Sequence, residues 1–204
     1  MAIILSTKKL KKSFYQRELL TVAKGLLGKI LVKSIGKEIL AGEIVEVEAY
    51  HGDIDQAAHS YTGITKRNEI MFEPGGYLYV YFTYGAHHCC NVVTGKKGQG
   101  TAVLIRAVEP VEGIDSMIKN RFGRKLNNDK EIFNLTSGPG KVCQAFRIDR
   151  SDSGTDLTGN EIFILEGEKI RSKDIGISKR VGITRSVDLP WRFFINNNPY
   201  LSRR

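Results

Sequence analysis

Residues 39–50 read Ile39-Leu40-Ala41-Gly42-Glu43-Ile44-Val45-Glu46-Val47-Glu48-Ala49-Tyr50. From Val45 onward polar and apolar positions alternate, which predicts a β-strand with two unlike faces. A side-chain period of two puts Ile44, Glu46, Glu48 and Tyr50 on one face and Val45, Val47 and Ala49 on the other. That polar face has two readings. It is a solvated sheet edge, or it is a carboxylate at the end of a rigid strand, beside an aromatic wall, with His59 of Ala57-Ala58-His59-Ser60 on a nearby loop. Catalytic groups are commonly set on rigid elements beside loops.

Toward the N-terminus, Leu19, Leu20, Ala23, Leu26 and Leu27 recur at helical spacing and predict a helix over 16–27, with Gly28 placed to end it. Lys8-Lys9-Leu10-Lys11-Lys12 makes residues 1–12 a basic arm, expected to be a solvated or frayed terminus. Ile30-Leu31-Val32 reads as a short strand leading by a turn into the strand of Glu48.

Toward the C-terminus, alternation stops between His51 and Glu73. Loops of this length are functional or disordered; His59 and Tyr61 argue for function. Tyr77 to Tyr84 then has very high β-propensity, with Tyr77, Tyr79, Tyr81 and Thr83 on one face. Gly85-Ala86 suits a two-residue type II′ hairpin turn, with a return strand from His87 to Val93. This leaves Tyr84 at the tip, where small polar residues are the norm. Thr101 to Val108 is nearly all apolar and reads as a central strand ended by Glu109-Pro110. Its one charge, Arg106, needs an acid or a phosphate, and Glu48 or Glu109 could serve. A helix is expected from Gly113 to Phe122. Thr136-Ser137-Gly138-Pro139-Gly140-Lys141 opens another, whose first amides and Lys141 suit an anion, although an ordinary helix start reads the same way. Glu161–Glu166, Arg180–Arg185 and Trp191–Ile195 complete the strands. The order of elements predicts an α+β protein: one domain across 1–204, built on a curved, mostly antiparallel sheet, partly open and barrel-like, with flanking helices and a protruding hairpin.

Lysine and arginine number 31 against 22 acids, a net charge of +9. The excess suits a polyanion such as nucleic acid, and solubility also explains it. Three cysteines in no zinc-type spacing read as free thiols in a reducing cytoplasm. In His87-His88-Cys89-Cys90, strand neighbours point to opposite faces, so the four cannot share one metal; no metal or cofactor is expected. Met1 to Leu5 is too short for a signal-peptide core, and no apolar run approaches a membrane span.

Several of these stretches together resemble the alkyladenine (3-methyladenine) DNA glycosylase family. They are Glu46-Val47-Glu48-Ala49-Tyr50, Ala57-Ala58-His59-Ser60, Arg67-Asn68, Leu78 to Gly85, Asn91, Leu104 to Pro110, and Ser137 to Ala145. The matches run in family order from about Leu19 to Phe194. The resemblance implies a monofunctional base-excision-repair enzyme that acts on alkylated or deaminated purines, 3-methyladenine and hypoxanthine among them, in duplex DNA. It implies Glu48 as the general base and Arg106 as the group that helps place the attacking water. Tyr50, His59 and Tyr81 match the residues that sandwich the extruded base. Asn91 matches the position that disfavours a 2-amino group, and Tyr84 the wedge that fills the gap in the duplex. Arg67 and Lys141 are further expected DNA contacts, and the backbone around Arg180-Val181-Gly182 is expected to line the same pocket. A cytoplasmic monomer is the expected form. Two rivals remain: a carbohydrate hydrolase using Glu46 and Glu48 as an acid pair, and a damaged-DNA binder without catalysis.

Overall fold

Glu38–His51 (β2) is a 14-residue strand long enough to be shared by several neighbours. β5 (Thr101–Glu112) runs along one of its edges. The other edge is divided between β1 (Ile30–Ile35), which pairs with its first half, and β8 (Arg192–Ile195), which pairs opposite Glu46 to Glu48. The eight-stranded sheet of this computed structural model, which describes residues 7–83 and 85–203, has the order β3-β4-β5-β2-β1-β6. In it β3 is Leu78–Thr83, β4 is His87–Thr94 and β6 is Ile162–Leu165. β7 (Ile175–Ser178) joins through β8. All the named pairings are antiparallel, and the sheet curls into a half-barrel. Among the described residues no helix is long and apolar enough to cross a membrane.

β2 is therefore a central strand, and the solvated-edge reading of its acids falls: Glu46 and Glu48 are fully buried. The expected face assignment also needs correction. The β2–β5 register shifts on both sides of Glu46, leaving Val45 on β2 and Arg106 on β5 without a partner opposite them. One unpaired residue on each strand restores the register from Val47 on, and such an irregularity reverses the faces of the residues beyond it. Ile44 consequently shares the main core with Val47 and Ala49, rather than a face with Glu48 and Tyr50. Val45 turns the other way, onto Ala107 and Tyr200.

Short helices cover the core face. α1 is Lys12–Tyr15 and α2 is Leu19–Leu26. α2 starts at Leu19 instead of Gln16 because the Glu18 carboxylate accepts hydrogen bonds from the Leu20 and Thr21 amides and caps it. Leu19, Val22, Ala23 and Leu26 form its buried stripe. α3 (Ile114–Phe122) packs on α4 (Pro139–Phe146), which lies on β4 and β5.

Four other expectations are revised. The described part of the basic arm is docked: the Leu10 amide donates to the Ile164 carbonyl at 2.8 Å, Leu10 is buried, and Lys9 covers the Phe163 ring. Thr83 pairs with His87, so three residues rather than two connect β3 to β4. β5 does not stop at Pro110; it passes through a register shift beside Gly42 that accommodates the proline. The alternating segment 180–185 is not a strand, because Arg180 is drawn inward by Asp55. Tyr84, and residues 1–6 of the arm, lie outside the described residues.

Candidate active site

Four strands and two loops surround a cavity of about 370 Å³. β2 brings Tyr50 to it, β3 brings Tyr79, Tyr81 and Thr83, and β4 brings Cys89 and Asn91. From β5 come Leu104 and Arg106; the loop after β2 supplies His59 and the loop after β7 supplies Val181 to Ile183. Pro139, at the start of α4, closes one side.

Glu48 lies just behind this wall. Its carboxylate is fully buried and is held by three residues that do line the cavity. Oε1 accepts from the Val181 amide at 2.7 Å, and Oε2 accepts from the Tyr50 hydroxyl at 2.8 Å. Arg106 Nη1 stands 3.3 Å from Oε2. The Tyr50 hydroxyl is held far above its ordinary titration range, first by burial and then by the neighbouring carboxylate, so it acts as a donor. Burial opposes the charge on Arg106, but Glu48 and Glu46 outweigh it and raise its pKa.

The aromatic wall is a connected set. The His59 and Tyr81 rings meet edge to face at 4.4 Å, and Tyr79 lies 5.6 Å from Tyr81. The Tyr79 hydroxyl is 3.0 Å from His59 Nδ1. Burial against this wall, and then the Arg67 cation, lower the His59 pKa and favour the neutral imidazole. Burial also raises the pKa of Tyr81 and pushes that of the Cys89 thiol to about 11, so both stay protonated at neutral pH.

A buried ion pair supports the two loops. Arg180 Nη2 donates to Asp55 Oδ1 at 2.8 Å, Nη1 donates to Oδ2, and Nη1 also reaches the Ala49 carbonyl at 2.9 Å. The same guanidinium lies over the Tyr50 ring at 4.6 Å. It thereby joins the His59 loop, the Val181 loop and the end of β2.

Residues 13–199 match the family model described as methylpurine-DNA glycosylase (MPG). The chain belongs to the methylpurine-DNA glycosylase family. Two relatives agree with this, both carrying the name "Putative 3-methyladenine DNA glycosylase". The one from Alkaliphilus oremlandii is 50% identical over 202 residues, covering 96% of this chain and 100% of its own. The one from Carboxydothermus hydrogenoformans is 50% identical over 196 residues, covering 96% and 99%. The protein is a DNA glycosylase, a DNA-repair hydrolase acting on N-glycosyl bonds.

In this methylpurine-DNA glycosylase five of the expected site residues, Tyr50, His59, Tyr81, Asn91 and Arg106, line the one cavity, with Glu48 immediately behind it. Asn91 is buried and donates to the Tyr79 carbonyl at 3.2 Å. Arg67 stands near the Tyr81 ring, 5.9 Å away, and reaches the Phe82 carbonyl. Lys141 is turned onto Asn134 and Ser137 and is not part of the cavity wall. Of the two acids expected beside Arg106, Glu48 is there; Glu109 instead accepts from Asn198, and Glu46 takes the second place. Glu46 is enclosed by Arg106, Arg192 and Ser202 and is not the free second carboxyl that a carbohydrate-hydrolase acid pair requires. Sequence reasoning assigns no role to Asp55, Arg192, Ser202 or Tyr79. The one available signal was that a buried arginine requires an acid.

Proposed function

We propose that this glycosylase hydrolyses the bond between deoxyribose and an alkylated or deaminated purine, with 3-methyladenine and hypoxanthine as substrates, after the nucleotide has left the duplex. The observation that carries this reading is the Glu48 carboxylate held by Tyr50, Arg106 and Val181, all three of them wall residues of an aromatic cavity.

Extrusion costs a few kcal/mol of lost stacking and pairing, least for a damaged base. Stacking against Tyr50 on one side and His59 with Tyr81 on the other returns about 1–3 kcal/mol per contact. A neutral His59 beside a cationic methylated base avoids like-charge repulsion. Tyr84, at the β3–β4 connection, fills the space left in the duplex, as apolar and planar wedges do from the minor groove. Asn91 selects against a 2-amino group.

Departure of the purine builds positive charge on the sugar. Glu48 stabilises that charge and takes the proton of the attacking water. Because Oε2 is bonded to the Tyr50 hydroxyl, the water reaches the carboxylate by replacing this donor as the base settles against the ring. Arg106 Nη1 then orients the water from the other side. Among the described residues no lysine lines the cavity, which supports a reading in which no Schiff base with the sugar forms and the enzyme stops at the abasic site. Arg67, Lys141 and the general basic charge hold the phosphate backbone with salt-sensitive affinity.

The test is incubation with duplexes carrying hypoxanthine or 3-methyladenine. The proposal requires release of the free base, an intact abasic strand, and no adduct on borohydride treatment. Tight binding without base release supports a non-catalytic damage binder instead.

A further inference from the structure

Arg106 is held by more than its expected acid. Glu46 Oε1 accepts from Arg106 Nε at 3.0 Å and from Arg192 Nε at 2.7 Å. Ser202 meets both oxygens of Glu46: its amide donates to Oε2 at 2.6 Å and its hydroxyl donates to Oε1 at 2.7 Å. The Ser202 hydroxyl also accepts from Arg106 Nη2 at 3.0 Å and lies 3.3 Å from Nε. An arginine edge of Nε and Nη2 normally takes both oxygens of one carboxylate. Here that edge is split between Glu46 Oε1 and Ser202 Oγ, because the Ser202 backbone amide occupies Glu46 Oε2. The split leaves Nη1 directed at Glu48.

The segment that carries Ser202 is itself anchored. Asn198 Nδ2 donates to Glu109 Oε2 at 2.7 Å, and Tyr200 is buried on Val45 and Ala107. The Arg203 carbonyl accepts from Arg192 Nη2 at 2.7 Å. The bulge at Val45 and Glu46 faces this segment: it turns Val45 toward Tyr200 and presents Glu46 to Ser202.

We propose that Ser202, through its hydroxyl and together with Glu46, is a positioning residue that fixes the angle of the Arg106 guanidinium, so that Nη1 addresses Glu48 and its water. This deepens the proposed reaction and rests on Arg106 and Glu48 serving there as described. With alanine at 202 the backbone amide still holds Glu46 Oε2, but the hydroxyl that accepts from Arg106 Nη2 is gone, and that edge of the guanidinium keeps only its Nε contact to Glu46. The guanidinium then rotates in its plane and Nη1 leaves Glu48.

The test measures single-turnover release of 3-methyladenine from methylated duplex, with duplex Kd and Tm, for wild type, Ser202→Ala, Ser202→Thr, Arg106→Lys and the Arg106→Lys/Ser202→Ala double variant. Ser202→Ala is expected to slow release about tenfold with Kd within about twofold, and Ser202→Thr, which keeps the hydroxyl, to recover most of the rate. In the Arg106→Lys background the alanine is expected to change the rate by less than about twofold, since the residue it acts through is gone. An unchanged rate in Ser202→Ala overturns the proposal, as does an equal loss in both backgrounds. If Arg106→Lys has no measurable rate, a crystal structure of Ser202→Ala decides: Nη1 is expected beyond hydrogen-bond reach of Glu48, and an unmoved guanidinium overturns the proposal. Glu48→Gln in the same assay separates the two ideas. Full activity there refutes the proposed role of Glu48, while the coupling of Ser202 to Arg106 is still read.

Discussion

Asp55 and Arg180, 125 positions apart in the chain, form an ion pair in which both side chains are fully buried. One belongs to the loop of His59 and the other to the loop of Val181, so the pair ties two walls of the cavity to each other and, through the Ala49 carbonyl, to the strand of Glu48. Removing one partner of such a pair leaves an uncompensated buried charge, a loss of about 3–5 kcal/mol. Asp55→Asn is expected to lose stability in that range by urea unfolding. Loss of less than about 1 kcal/mol would mean that the pair does not hold the loops together.

Tyr81 meets His59 edge to face on one wall of the cavity. If it carries the extruded base, Tyr81→Ala removes a stack worth about 1–3 kcal/mol. Excision of hypoxanthine should fall by roughly 5- to 150-fold in kcat/KM, with Kd for the abasic product duplex little changed. An undiminished kcat/KM would remove Tyr81 from the base site.

Glu46 gives a pH dependence of known sign. Burial pushes its carboxyl upward, but the Ser202 amide, Arg192 and Arg106 outweigh this and hold it below the ordinary 4.5. Above that value the group is ionised in both folded and unfolded chains, and its stabilisation is fully present. As the pH falls past 4.5 the unfolded chain takes the proton first, and stability is lost until the folded value is passed. Glu46→Gln should therefore flatten the acid limb of a stability–pH curve below about pH 4.5 relative to wild type. Parallel curves through that region would show that Glu46 titrates alike in both states.

The strand-forming runs, alternating in β2 and β3 and nearly all apolar in β5, were legible because each is longer than its irregularities. β2, β3 and β5 stand close to where the pattern puts them, and Tyr79, Tyr81 and Thr83 share a face as expected. The irregularity at Val45 lies where alternation breaks, at the apolar pair Ile44-Val45, but one such pair does not fix which residues change face. Segment 180–185 misled for the opposite reason. Arg180-Val181-Gly182-Ile183 alternates like a strand, yet the Asp55 carboxylate draws Arg180 inward and Gly182 has a φ of +77°. Glu48, Tyr50, His59, Tyr81, Asn91 and Arg106 were identified as a set by resemblance rather than by periodicity. The ring of Glu46, Arg192 and Ser202 joins residues up to 156 positions apart, a separation for which no local spacing carries a signal.

The central claim is that Glu48 drives the hydrolysis. The most direct measurement is single-turnover excision of hypoxanthine by Glu48→Gln with the duplex saturated by enzyme, beside its Kd for the same duplex. Loss of a general base predicts a rate lower by about 10²–10⁴-fold with Kd essentially unchanged. A Glu48→Gln enzyme that releases the base at the wild-type rate would contradict the account.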